Sequence, residues 1–136
     1  MHELFEHTAD LGLRATAPDL PSLFAEMGQC LLAAIVEDPA GVESRHECTI
    51  LLDGTDREFL LFDWLKHLLY LFDEGKGLYG RFEIIVGPAG LTAIAFGEDY
   101  DPERHVLAHE VKAITYHELK VVEHGGGWLA EVIVDI

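Results

Sequence analysis

Two stretches in the first half of the chain repeat apolar residues every three or four positions, and most of the rest alternates. That pairing of periods allows a few helices set among strands and little else. In the first stretch Leu20, Leu23, Phe24, Met27, Leu31 and Ala34 recur at helical spacing. Asp19 suits its N-cap and Pro21 its first turn, and the helix should stop near Glu37, ahead of Pro39. In the second, Phe59, Phe62, Leu65, Leu69 and Phe72 mark one face, which Leu60, Trp64 and Leu68 widen. Thr55 and Glu58 have the spacing of a capping box, so this helix is expected over 56–72, closed by Gly75 and Gly77. So broad an apolar face predicts a central helix packed on a sheet.

Alternation predicts strands over 3–5, 11–17, 42–52, 81–86, 91–96, 111–117, 119–122 and 128–136. Gly87-Pro88-Ala89-Gly90 reads as a hairpin turn and His124-Gly125-Gly126-Gly127 as a second turn. A polar loop is expected over 98–105. Strands before and after two adjacent helices define an α+β fold. The expectation is a single domain over 1–136, with a curved, largely antiparallel sheet and two helices packed on one face. With 49% hydrophobic residues in 136, the chain can fill one core and not two.

Twenty-five acidic residues oppose nine basic ones, a formal net charge of -16. A phosphate backbone would repel that surface, and the bases form no stripe, so a direct grip on nucleic acid is not expected. Cations, basic proteins or simple solubility remain. Apolar runs such as 31–36 and 68–72 are too short to span a bilayer, and Glu3 and Glu6 stand where a signal peptide needs bases. These features predict a soluble, cytoplasmic protein with no membrane contact. Cys30 and Cys48 match no zinc spacing and read as small buried hydrophobes.

Three segments offer chemistry. His7-Thr8-Ala9-Asp10 sets an imidazole and a carboxylate beside a turn. Carboxylate oxygen suits calcium or magnesium, although a turn-capping Asp10 and a surface His7 account for so short a segment more simply. Val132-Ile133-Val134-Asp135-Ile136 runs an apolar strand into one acid. A strand pinned to its end would gather the Asp135 side chain, the Ile136 main chain and a terminal carboxylate, a self-repelling group unless a cation or base joins it. In the stretch His109 to Thr115, alternation sets Glu110 and Lys112 on one face, where they could form an exposed ion pair. His105, His109 and His117 have spacings of four and eight, which fit no helical zinc motif, and read as scattered solvated side chains. No phosphate-binding glycine loop and no nucleophile elbow is present.

Four segments in order, within a chain of this size, resemble the archease family: Phe5-Glu6-His7-Thr8-Ala9-Asp10, the helix from Trp64-Leu65 through Leu71-Phe72, Glu110-Val111-Lys112-Ala113-Ile114-Thr115-Tyr116-His117, and the closing Val134-Asp135-Ile136. The resemblance runs nearly the full length. It implies an accessory protein, not an enzyme, that assists an RtcB-type RNA ligase in tRNA splicing and RNA repair. Such a protein speeds guanylate attachment to the ligase and allows repeated turnover, meeting RNA only through its partner. It also implies a bound cation, usually calcium, with magnesium or manganese as alternatives. By the same resemblance Asp10 and Asp135 supply carboxylate ligands and Ile136 a main-chain oxygen. His7, Glu110 and Lys112 stand beside them, Lys112 orienting an acid or touching the ligase or its nucleotide. Competing expectations are a stand-alone metal-dependent hydrolase using Asp10 and the histidines, a general chaperone, and an acidic binding module. Nothing in the sequence sets an oligomeric state.

Overall fold

The cap expected at Asp19 is in place in the computed structural model, which describes residues 1–136. Asp19 is extended, its carboxylate accepts the Ser22 N–H at 2.8 Å, and Pro21 fills a first-turn position that needs no N–H. Helix α1 follows over Leu20–Ile35 and gives way to a single 3-10 turn, Pro39–Gly41.

Helix α2, Arg57–Gly75, corrects the expected capping box. Asp56 is the N-cap, and its carboxylate accepts the N–H groups of Glu58 and Phe59 at 2.9 and 3.2 Å. An aspartate one residue nearer the helix serves these donors directly. Glu58 is thereby released to accept the Val121 N–H at 3.1 Å, across the fold. At the other end Lys76, not a glycine, adopts the left-handed conformation (φ 59°) and returns its N–H to the Leu71 and Phe72 carbonyls. The buried row is Leu60, Leu61, Phe62, Trp64, Leu65, Leu68 and Leu69, while Phe59, expected in the core, is 54% exposed.

Eight strands accompany the helices: β1 His2–His7, β2 Asp10–Ala17, β3 His46–Asp53, β4 Gly77–Gly87, β5 Gly90–Asp99, β6 Ala113–Ile114, β7 Lys120–His124 and β8 Gly127–Asp135. Every pairing is antiparallel, as the α+β reading requires. The strands divide between two sheets. One runs β1-β2-β8-β6, with β7 also on β8, and the other runs β3-β5-β4. Both helices touch both sheets, so one core continues from Leu13, Ala15 and Val132 through Phe24, Met27 and Trp64 to Ile50 and Ala93. Trp64 donates its indole N–H to the Phe24 carbonyl at 2.9 Å, fixing α2 against α1.

Two expected strands are shorter than the alternation suggested. Residues 42–45 lie outside β3. Of 111–117 only Ala113 and Ile114 pair, because β8 offers them only Asp135 and Val134. Thr115 then ties its N–H and hydroxyl to the Ile133 carbonyl, at 3.1 and 2.8 Å, and Glu118 turns through a left-handed conformation (φ 54°).

The expected polar loop 98–105 holds a buried charged cluster. Glu98 closes near the end of β5 and is 3% exposed, and His105 is 5% exposed. The Glu98 carboxylate accepts the Glu43 N–H at 2.6 Å, lies 3.1 Å from His105 Nε2, and meets the Arg104 guanidinium. Burial alone would raise its pKa. The Glu43 N–H, the His105 hydrogen bond and the Arg104 charge overcome that and hold it below the ordinary glutamate value. His105 is therefore a packed structural group, contrary to the solvated side chain expected of it.

Candidate functional site

The β1–β2 connection is a two-residue turn, Thr8-Ala9, with His7 and Asp10 paired across it. Thr8 takes φ 51°, a position that hairpins usually give to glycine, and holding a branched residue there costs about 1–3 kcal/mol. Register carries the arrangement across the sheet. Leu11 pairs with Val134, so the next step along both strands brings Asp10 opposite Asp135. Asp135 also pairs with Ala113, and its carbonyl accepts the Lys112 N–H at 2.7 Å.

Residues directly opposite in antiparallel strands project to the same side. Leu11 and Val134 point into the core. His7, Asp10 and Asp135 therefore form a row on the other face, at one end of the sheet. Next to this row are Phe5 and Gly12, where a Cβ on Gly12 would lie 2.2 Å from the Phe5 ring. Beyond them is an ionic row: Arg14 bridges Glu3 and Glu131, and Lys120 joins Glu131 at 3.0 Å. The bases of this face are thus engaged two rows away. Asp10 is half-buried and Asp135 exposed, and facing carboxylates on adjacent strands repel. A cation is the natural complement of such a pair. Ile136 is half-buried and packs against the core, which keeps the end of β8 in place.

The connection from β6 to β7 brings in residues that the sequence did not mark. His7 Nε2 lies 3.2 Å from Glu118 Oε2, His117 Nε2 lies 3.8 Å from Glu118 Oε1, and the two imidazole rings are 5.3 Å apart at 62°. One ligand atom from each residue falls within 4.8 Å of the other two. His7 Nδ1 is buried and has no hydrogen-bond partner. His117 was expected to be a scattered solvated histidine. It is exposed, yet it converges with His7, from more than a hundred residues away, because Glu118 reverses the chain. The sequence sign was its place at the end of the Glu110–His117 segment, just before the turn at Glu118.

Glu110 and Lys112 are exposed on the approach to β6. Lys112 reaches the row through its backbone N–H. A cleft of about 700 Å³ between the 54–58 turn and the β4–β5 hairpin shares no residue with the row.

The archease protein family (MTH1598/TM1083) matches the chain over residues 2–136. The archease of Pyrococcus furiosus is 37% identical across 98% of this chain and 97% of its own. That of Methanosarcina mazei is 36% identical across 99% and 95%. The solution structure of Methanobacterium thermoautotrophicum protein 1598 superposes with a TM-score of 0.82 at 30% identity, covering 99% of this chain and 98% of that one. A crystal structure from Thermotoga maritima, described as an archease and possible chaperone, shares the fold with a TM-score of 0.65 at 20% identity, over 100% and 98% of the two chains.

Proposed function

Because the chain belongs to the archease family, we propose that it is an accessory protein of an RtcB-type RNA ligase, acting in the cytoplasm in tRNA splicing and RNA repair. It promotes guanylate attachment to the ligase and repeated turnover, and takes no catalytic residue of its own to the reaction. The observation that supports this reading is the β2–β8 register, paired as far as Leu11 and Val134, whose continuation by one step brings Asp10 towards Asp135 at the end of the larger sheet.

The donor set fits the cation the reading requires. Two carboxylates and the Ile136 main-chain oxygen are hard ligands, which favour calcium, then magnesium or manganese, over zinc. A bound cation supplies positive charge that neutralises the facing acids. The protein's own residues do the rest. β2 and β6 hold β8 from either side, so the ligands need little rearrangement. The Lys112 N–H fixes the Asp135 carbonyl, and the Lys112 side chain is left free to meet the ligase or its nucleotide. A net charge of -16 steers the protein toward a basic, RNA-binding partner and away from RNA itself.

The test is ligation of a broken RNA by the cognate ligase at substrate excess. Multiple turnover should require this protein and be lost with Asp10→Ala and Asp135→Ala, both still folded. Full activation by Asp135→Ala would remove the site assignment. A second reading, a general chaperone, is favoured by the exposed aromatic pair Phe59 and Tyr116, whose rings meet edge to face at 5.6 Å. It requires suppression of aggregation of unrelated clients. Phosphatase or nuclease turnover by the protein alone would instead support the hydrolase reading.

A further inference from the structure

We propose that His7, His117 and Glu118 form a second cation site, beside the carboxylate row and sharing its His7, selective for a first-row transition metal of the zinc class. Two imidazoles and one carboxylate are the donor set that zinc, and metals of similar softness, take in sites with an open position. Calcium and magnesium prefer oxygen throughout. Bonds of 2.0–2.1 Å to a tetrahedral ion set ligand atoms about 3.3 Å apart. His7 Nε2 and Glu118 Oε2 already stand at 3.2 Å, His117 Nε2 lies 3.8 Å from Glu118 Oε1, and all three ligand atoms fall within 4.8 Å, so rotation of the exposed His117 and Glu118 side chains has to close the set. Three protein ligands leave the fourth position to water.

The simpler account is a pair of histidine–glutamate ion pairs at the surface, each worth little. Two observations favour the metal. Glu118 is shared by two imidazoles that come from separate segments, β1 and the β6–β7 connection. And because His7 Nδ1 is buried, the ring presents only Nε2 towards Glu118.

The inference concerns a different donor set from the proposed calcium ligands and does not rest on the ligase role. Its test uses the full chain without a histidine tag, stripped of metal, in saturating calcium. Cobalt(II) is added and its visible ligand-field bands followed, and zinc binding is measured by dialysis with metal analysis. One equivalent of each should bind beside calcium. His117→Ala and Glu118→Gln are surface changes, and circular dichroism will verify their fold. Each should weaken cobalt binding by at least about tenfold, since even outer-shell partners of a metal are worth that much. Asp135→Asn should leave cobalt binding intact. Absence of cobalt binding at micromolar concentrations, binding that survives both His117→Ala and Glu118→Gln, or binding abolished by Asp135→Asn would each overturn the site.

Discussion

Replacing Glu98 with glutamine removes one charge and almost no volume, so the cost isolates the electrostatics of a buried acid. In the native protein this carboxylate serves the Glu43 N–H, His105 and Arg104, and Arg45 Nε lies 3.4 Å away. A glutamine keeps one acceptor oxygen and turns an amino group toward groups that are themselves donors. Breaking a buried charge pair by losing one partner costs about 3–5 kcal/mol. Arg104 and Arg45 side chains are 38% and 63% exposed, so water takes up part of their charge. The loss should therefore fall near the lower limit, about 3 kcal/mol. For a chain of this length that is a fall in Tm of about 10 °C. Urea unfolding with an unchanged m-value measures it directly. The pH dependence gives a second readout. The folded pKa lies below the ordinary 4.5, so this stabilisation is present above that value and is lost as pH falls below it, through the folded pKa. The gap between native protein and variant should then be full at neutral pH and close in acid. A loss under about 1 kcal/mol at neutral pH, the size of a surface pair, would refute the reasoning.

Further outcomes follow from packing. Gly12→Ala should destabilise the protein by about 1–3 kcal/mol, because the new methyl drives into the Phe5 ring, and Phe5→Leu in the same chain should restore part of that loss; denaturation of the single and double variants measures both. Burial pushes the Cys30 thiol up to about 12, whereas Cys48 is half-buried; a thiol reagent should label one cysteine quickly and Cys30 only at the rate of unfolding. Calcium should raise the Tm of the native protein and not of Asp135→Asn, as ligand binding to the folded state alone requires; an equal rise in both would remove Asp135 from the ligand set.

Local signals carried much of the fold. Asp19 with Pro21, the apolar row from Leu60 to Leu69 and the Gly87–Gly90 turn each act within a few residues, and each can be read without knowing the rest. What could not be read depends on partners far along the chain. Thr55 and Glu58 have the right spacing for a cap, but Asp56 competes for the same donors and Val121 claims Glu58. The division into two sheets is set by which strands meet across the core, a fact absent from any one segment. Glu98 and His105 looked like loop residues because charged side chains are seldom buried, and their burial rests on mutual satisfaction. The same distinction applies to the candidate site. Asp10 and Asp135 could be named as oxygen donors from the sequence, but their facing positions follow only from the β2–β8 register. His117 and Glu118 were hidden more deeply, by a single left-handed residue that redirects the chain.

Strand β8, which follows every strand it pairs with, lies in the interior of the larger sheet, with β2 on one side and β6 and β7 on the other. A chain still emerging from the ribosome can form β1–β2, both helices and the β4–β5 hairpin, but the larger sheet must wait with its middle missing. The edge of β2 from Leu11 to Ala17, which pairs with Val134 to Trp128, remains without its strand partner until then. Formation of the sheet is thus a late, long-range event, of the kind that slows folding. The Asp10–Asp135 pair comes into existence in the same step, so any activity that depends on it reports a closed larger sheet.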